Sequence, residues 1–495
     1  MKDALFIGID IGTQGTKAML CDITGKVLSE AFCASRLIRP DTVTVYEEPQ
    51  DIFYSVMTVI SEITARMGEQ SRNIRAIGMD AQMAGIMGID EDFNASTPLD
   101  SWLDSRCKDY TALLEREAGE ESIESSGGQV IHAHAPKILW WKNEQSEAYS
   151  KTRKFVMPNG FVAGKLCGLK ANEAFMDYTF LHFNSFSDNR RLCFNEKLLA
   201  LFKVDKDKLP RIVSPEEVVG TVTREYAQKC GLPNGVQVIA GCGDTAASSL
   251  GAGITRAGLA YDVAGTASVF ACATKSFAPD TKQRTILFSR SVCKDLFLPL
   301  AYISGGGLCL KWYSRLCGQS LVSLDQAALG ASFEDTPIFL PHFSGRTCPL
   351  DNRVSGAFLN ITPKTESAEM YTAIMESIAY EYKSYLDILR DNGCLCDGTT
   401  VIGVGGGAKS TVFSQIKADV LGLPYMTPEK ADSAPCAMAL LAAHGTGERT
   451  EPLNELFRPD AKGAEYLPDT TKTNRYAQKA QEYLRLLNGY GEYIS

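Results

Sequence analysis

Two glycine-threonine turns, each closing an apolar strand-like run, constrain this chain more than any other feature in it. The first is Ile7-Gly8-Ile9-Asp10-Ile11-Gly12-Thr13-Gln14-Gly15-Thr16-Lys17, and the second is Leu259-Ala260-Tyr261-Asp262-Val263-Ala264-Gly265-Thr266. A strand that ends in Gly-Thr turns tightly and leaves backbone N–H groups and a hydroxyl free to meet phosphate oxygens. One such turn in each half points to a nucleotide held between two related lobes, and so to a phosphotransferase.

The surrounding pattern is α/β. Ala4 to Asp10, Lys17 to Ile23 and Lys26 to Phe32 read as three strands of an antiparallel meander joined by short turns. A helix is predicted from about Gln50 to Met67, with Ile52, Val56, Val59, Ile60 and Ile63 on one face, followed by a strand from Ile74 to Met79. A second half begins near Gly251, after the buried-type strand Val236 to Ala240. It contains strands at Leu259 to Val263, Val269 to Ala273 and Val401 to Val404, and a helix from about Met370 to Leu389. Alternating strands and helices place the chain in the α/β class. Its 495 residues exceed what one core usually serves, and the expected division is 1–251 and 252–495. The shared Asp-x-Gly-Thr theme, Asp10 to Thr13 against Asp262 to Thr266, is a weak internal echo.

Composition removes several function classes. A net charge of −9 with no basic stripe gives nucleic-acid binding little electrostatic support. No apolar stretch approaches the ~20 residues that span a bilayer. The opening Met1-Lys2-Asp3 leads straight into a strand, without a secretory pattern. The 15 scattered cysteines then read as reduced thiols, and a cytoplasmic location is expected. Cys394-Leu395-Cys396 and His132-Ala133-His134 lack the further ligands that a zinc site needs.

Five segments carry candidate chemistry. In the first turn, Gly12 and Gly15 admit an anion to the backbone, Thr13 and Thr16 offer hydroxyls, Lys17 offers charge, and Asp10 offers a carboxylate for Mg²⁺, directly or through water. An ordinary hairpin also favours these residue types. Gly405-Gly406-Gly407-Ala408-Lys409-Ser410 is not a P-loop, because Ala408 stands where that pattern needs Gly before Lys-Ser. It is a glycine turn between a strand and a helix, suited to a base or a phosphate, or simply to a tight connection. Gly241-Cys242-Gly243-Asp244 sets a carboxylate just past a buried strand, as a general base or as a helix cap. Asp80-Ala81-Gln82-Met83-Ala84-Gly85 also follows a strand. The stretch from Pro98 to Arg106 mixes Trp102 with Asp100, Asp104 and Arg106, a combination suited to a polyhydroxylated ligand.

Together these segments resemble the FGGY carbohydrate kinases, within the actin/hexokinase/Hsp70-type ATPase superfamily, and most closely their xylulokinase branch. Gly8 to Thr13 resembles the first phosphate loop, and Gln82-Met83-Ala84-Gly85 the substrate loop written Gln-Met-His-Gly. Trp102 to Cys107 resembles Trp-Asn-Asp-Gly-Arg-Cys, and Ala135 to Trp141 the first family signature. Gly241–Asp244 is similar to the catalytic Gly-Gly-Gly-Asp, and Gly265-Thr266 to the second phosphate loop. Gly405 through Pro424 is similar to the second signature over its whole length.

The resemblance implies two ribonuclease H-like (actin-like ATPase) domains with a catalytic cleft between them. It implies an ATP-dependent, Mg²⁺-dependent sugar kinase with Asp244 as general base and with Asp10 and Asp244 serving the metal. Thr13, Gln14, Lys17, Gly265, Thr266, Gly306, Gly405, Gly406, Gly407, Ala408 and Lys409 would meet ATP, with Ser304-Gly305-Gly306-Gly307 a looser match. Gln82, Met83, Trp102, Asp104, Arg106 and Asp244 would meet the sugar. A homodimer is expected on the resemblance alone.

This chain has Ala84 where xylulokinases carry His, Leu103 where they carry Asn, and His132 and His134 in place of small or hydroxyl residues. Lost polar contacts keep the acceptor open among xylulose, ribulose, another ketose, a polyol and an aldonate. A non-catalytic sugar or nucleotide sensor with the same fold is the alternative from another class.

Overall fold

The computed structural model describes residues 3–429, 433–459 and 462–494, with backbone alone for 491–494. The chain divides into two units. The first takes Met1–Gly251, Ser289–Asp295 and Asp432–Phe457, and the second takes Ala252–Phe288, Leu296–Ala431 and Arg458–Ser495.

The first unit is built on a seven-stranded sheet. Its meander is β1 (Leu5–Gly12), β2 (Gly15–Asp22) and β3 (Val27–Ala34). A short strand, β4 (Tyr46–Glu47), precedes helix α1 (Pro49–Met67), which leads into β5 (Ile74–Ala81). Pro49 suits the first helical turn because its missing N–H has no partner to lose there. Val56, Val59, Ile60 and Ile63 of α1 are wholly buried, as their spacing predicts. Another short strand, β6 (Leu99–Asp100), pairs with β4, and helix α2 (His134–Glu144) follows. The unit is completed by β7 (Val218–Thr221), β8 (Gln237–Ile239), β9 (Cys242–Gly243) and helix α3 (Asp244–Gly251). Strand β1 is buried almost throughout, the signature of a central strand covered on both faces. It pairs antiparallel with β2 and parallel with β5. Outward from β5 come parallel β8 and then antiparallel β7, while β9 pairs parallel with the end of β5.

The second unit repeats this plan. Its meander is β10 (Leu259–Ala264), β11 (Ser268–Cys272) and β12 (Phe297–Ile303), antiparallel neighbours in that order. Helices α4 (Gly306–Cys317) and α5 (Ser367–Asp391) follow, then β13 (Thr400–Val404) beside and parallel to β10. Helix α6 (Thr411–Leu421) leads to parallel β14 (Tyr425–Thr427), which pairs antiparallel with β15 (Ala464–Tyr466). Both sheets thus show a three-stranded antiparallel meander, then two parallel strands, then an antiparallel edge. The echo in the two turn sequences is matched by the order of these strands in the sheets, though the edge strand precedes its neighbour along the chain in the first unit and follows it in the second.

The first unit also takes a helix from late in the chain, α7 (Ala434–Gly445), which packs on β1, β2 and β5. Contact requires bare backbone. A Cβ on Gly8 would lie 1.6 Å from the Pro435 carbonyl oxygen, and one on Gly78 would lie 2.4 Å from that of Met438. The helix is made of small and aliphatic residues that are almost all buried, so it seals the sheet face under β1 and β5. The linear division at 251 misses this crossing, because sequence periodicity reports which face of a helix is buried and not against which strand.

Candidate active site

In the first unit three carboxyl groups gather at one end of the sheet. Asp10 lies near the end of β1 and Asp80 near the end of β5, partners in register. Cys242, two residues before Asp244, is in turn the register partner of Asp80. Asp10 and Asp244 are half-buried, whereas Asp80 is fully buried, and neither of its oxygens has a partner of normal hydrogen-bond geometry. Burial pushes the Asp244 carboxyl up to about 6, helped by the Asp10 charge. Burial also raises Asp10, with Asp80 and Lys17 offsetting part of the rise. Asp80 is driven well above the carboxylate range by burial and by the charges of Asp10 and Asp244.

The turn before Asp244 is rigid. Gly241 has φ +72°, and a Cβ there would lie 1.7 Å from the Met79 carbonyl oxygen. The Gly243 N–H donates to Thr179 Oγ1 at 2.9 Å, and Thr179 donates through both its N–H and its hydroxyl to Asp177 Oδ1. Asp244 opens α3 and accepts from the Thr245 N–H at 2.6 Å and from its hydroxyl at 3.2 Å. Its carboxylate therefore stands on a fixed strand-turn-helix corner while keeping access from outside. As a helix cap, Asp244 bonds only the adjacent Thr245 and not the second or third N–H of the helix.

A polar chain runs beside this cluster. Trp102 Nε1–H donates to Thr13 Oγ1 at 3.0 Å, Thr13 donates to Gln82 Oε1 at 3.0 Å, and Gln82 Nε2–H donates to Glu47 Oε1 at 2.5 Å. The Gln82 N–H is itself fixed to the Ile11 carbonyl. Burial lifts Glu47 to about 7, against the pull of its bond from Gln82. Met83 packs against Gly243, its Cε only 2.4 Å from where a Cβ would sit. Gln14 is exposed in the β1–β2 turn, and Lys17 on β2 reaches toward Glu30 at 3.8 Å.

Among the residues expected to face a sugar, Trp102 has an open face, at 50% exposure. Asp104 and Arg106 turn inward. Arg106 bonds Asp100 at 2.5 Å and Asp104 at 2.8 Å and stacks 4.2 Å from the Trp140 ring centre, and Asp104 also accepts from the Val45 N–H. They hold the loop that presents Trp102. Lys137, fully buried on α2, donates to the Ala84 and Ser101 carbonyls at 3.0 and 2.6 Å, tying the two loops together. Ala84 has φ +60°. His134 is buried among Phe180 and Phe183, its burial pushing the imidazole down to about 3.

In the second unit the glycine turns converge on the end of β10. A Cβ on Gly307 would lie 2.0 Å from the Gly265 carbonyl oxygen, and the Leu308 N–H bonds the Thr266 carbonyl at 3.1 Å. Gly405, with φ +86°, and Gly407 both abut Ala264. Thr266, Gly405, Gly406 and Lys409 are exposed, and Gly265, Gly407 and Ala408 half-buried. Gly306 begins α4 beside the Gly265-Thr266 turn, and a helix N-terminus favours an anion. Asp262, the echo of Asp10, has a different fate. It is fully buried, ion-paired to Lys417 and hydrogen-bonded by Tyr382 at 2.8 Å and Tyr425 at 2.5 Å. In the second unit a buried lysine thus neutralises the counterpart of Asp10.

Glu47 and Lys137 were given no role at the site, and Asp80 was named only as the start of a candidate segment. Glu47 precedes an ordinary helix start, and nothing local marks it. Asp80 carried a signal, a carboxylate at the end of a buried strand. Among the described residues no three His, Cys, Asp or Glu side chains converge to hold a metal ion by themselves. Asp10 and Asp244 still suit Mg²⁺, which is commonly bound by one or two carboxylates together with substrate phosphates and water. Two mutually repelling carboxyl groups are a fitting donor set for it.

The model for the FGGY family of carbohydrate kinases, N-terminal domain, matches residues 5–251, and that for the C-terminal domain matches residues 260–446. A xylulose kinase of Klebsiella pneumoniae is 24% identical over 487 residues, spanning 98% of this chain and 99% of that protein. A gluconokinase of Bacillus subtilis is 26% identical over 462 residues, spanning 89% and 88%. A crystal structure described as a xyloylose kinase from Brucella ovis superposes with a TM-score of 0.89 at 25% identity, covering 98% of this chain and 99% of that one.

Proposed function

This chain belongs to the FGGY family of carbohydrate kinases, and we propose that it transfers the γ-phosphate of ATP to a hydroxyl of a ketose, with Asp244 as the general base. The observation that carries this reading is the placement of Asp244. It is half-buried on a rigid corner, beside a second carboxylate, with its ionisation near 6, so at neutral pH it is an ionised, positioned acceptor for a hydroxyl proton. Phosphoryl transfer asks mainly for positioning and charge neutralisation. Gln82, Met83 and the open face of Trp102 hold the sugar, with Asp104 and Arg106 fixing the Trp102 loop. Gly265, Thr266 and the α4 N-terminus at Gly306 receive phosphate oxygens. The Gly405–Lys409 turn takes the adenosine. Asp10 and Asp244 hold Mg²⁺, directly or through water, with Lys17 near Asp10. Bound there, Mg²⁺ supplies neutralisation of phosphate charge.

A second acceptor class, the aldonates, is favoured by Ala84. Loss of an imidazole beside Met83 leaves space and removes a ketose contact, and the similar proteins include a gluconokinase as well as xylulose kinases. ADP release with Mg·ATP across ketoses, polyols and aldonates, including D-xylulose, D-ribulose and D-gluconate, separates the two. Strong release with a ketose alone supports the first reading. Strong release with gluconate alone replaces it with the second, and no release with any acceptor despite ATP binding overturns both.

A further inference from the structure

We propose that Glu47 is the positioning residue for acceptor recognition, setting the direction of the whole hydrogen-bond chain Glu47–Gln82–Thr13–Trp102. The inference rests on the reading that Gln82 and Trp102 face the sugar. A glutamine side chain has one accepting and one donating end, and its environment decides which way it points. Glu47 and Gln82 are each 2% exposed, so water has little part in that choice. In its ionised form Glu47 accepts only, so its Oε1 draws the Gln82 Nε2–H toward β4 at 2.5 Å and leaves the Gln82 Oε1 facing Thr13. Thr13 must then donate its one hydroxyl proton to Gln82, and it presents a lone pair in the direction of Trp102. Indole nitrogen can only donate, and its bond to Thr13 Oγ1 is 3.0 Å long. Each direction follows from the one before it, starting at Glu47.

Two consequences are local. The half-exposed indole is held by the β1–β2 turn, so the plane offered to a sugar is fixed before the sugar arrives. Thr13 spends its only proton inside the chain and has none for a phosphate oxygen unless Gln82 is released. The Thr13 side chain therefore belongs to acceptor recognition, while the backbone of its turn remains free for phosphate. Replacing Glu47 with a residue that cannot accept lets Gln82 reverse, and the order of donors is lost down to Trp102.

The test combines kinetics with a readout that needs no substrate. Glu47→Leu raises the KM of the best acceptor about 10-fold or more, the scale of one misdirected buried hydrogen bond. Its kcat changes by less than about threefold, and the KM for ATP stays unchanged. Glu47→Gln, which can still accept from Gln82, recovers most of the loss. In a Gln82→Ala background Glu47→Leu adds less than about twofold, because the residue through which it acts is gone. Thr13→Val, a near-isosteric change at a half-buried turn, gives the same acceptor-KM rise and keeps the proposal testable should Glu47→Leu not fold. With 5-fluorotryptophan in the four tryptophan positions, the Trp102 ¹⁹F resonance, assigned with Trp102→Phe, shifts in Glu47→Leu and in Thr13→Val without ligand. An unmoved Trp102 resonance in the folded variants, or an acceptor-KM loss that persists undiminished in the Gln82→Ala background, overturns the proposal. A moved resonance in a protein that phosphorylates no sugar upholds the chain and removes the acceptor assignment instead.

Discussion

Asp10 stands across from Asp80 in the parallel register of β1 and β5, so two carboxyl groups share one sheet end and only one of them reaches solvent. Asp80 is the costly one, buried with no partner of normal geometry. Its folded ionisation is raised above the unfolded value of 3.8. Stability is then fully present below that pH and is lost as pH rises toward the folded value. We expect Asp80→Asn, compared in EDTA, to match the parent near pH 4 and to gain on it by up to about 1.4 kcal/mol per pH unit above that. Thermal melts from pH 4 to 8 measure it, and a difference that stays flat with pH would mean that Asp80 is not held protonated.

Asp244→Asn keeps shape and removes the proton acceptor. The variant should fold and bind ATP normally while kcat drops by ~10² or more. In the parent, kcat/KM for the acceptor should fall as pH drops through about 6, the value to which burial and Asp10 raise Asp244. Turnover of Asp244→Asn near that of the parent removes the residue from the role.

Ala84 already sits at φ +60°, a conformation in which histidine is several-fold more common than most residues. Ala84→His should therefore leave the Lys137 bond to the residue-84 carbonyl intact. The ratio of kcat/KM for D-xylulose to that for D-gluconate is expected to rise about tenfold, the worth of one added polar contact. An unchanged ratio would separate position 84 from acceptor choice.

Lys417 and Asp262 are both fully buried and paired. Lys417→Met strands the carboxylate and should destabilise the protein by about 3–5 kcal/mol. Lys417→Met combined with Asp262→Asn should regain most of that loss, since the amide oxygen still accepts from one of Tyr382 and Tyr425 and its NH2 can donate to the hydroxyl oxygen of the other. Chemical denaturation of the single and double variants checks both parts.

Much of this architecture was readable in the residues. The predicted helix from Gln50 to Met67 is Pro49–Met67, and that from Met370 to Leu389 is Ser367–Asp391, because a periodic apolar face reports burial reliably. The strand Leu259 to Val263 extends by one residue to Ala264. Glycines at the phosphate-type turns were informative because backbone approach of this kind excludes a Cβ. What stayed hidden depends on distance along the chain. Glu47 meets Gln82 across 35 positions, and Lys137 meets Ala84 across 53. The inward turn of Asp104 and Arg106 follows from Trp140 and Asp100, which no local pattern announces. Asp262 looks like Asp10 in sequence, and its neutralisation is set by Lys417, 155 residues away.

Gly8→Ala should be among the most damaging small changes. The new methyl would lie 1.6 Å from the Pro435 oxygen and 2.6 Å from the Ala439 nitrogen, both backbone atoms that cannot rotate away. We expect a loss of about 3 kcal/mol or more, or roughly 6–12 °C in melting temperature. Gly489→Ala, with nothing within 4 Å of its added methyl, serves as the control and should be neutral or slightly stabilising.

The same helix gives folding a clock. Strands β1 and β5, with Asp10 and Asp80 at their ends, leave the ribosome early, yet the helix that covers them begins at Ala434. At about 5–20 residues per second, the gap after Gly251 amounts to on the order of ten to forty seconds of synthesis. Through that interval the nascent chain carries an uncovered apolar sheet face, and a message truncated before codon 434 yields a chain in which β1 and β5 never acquire their cover.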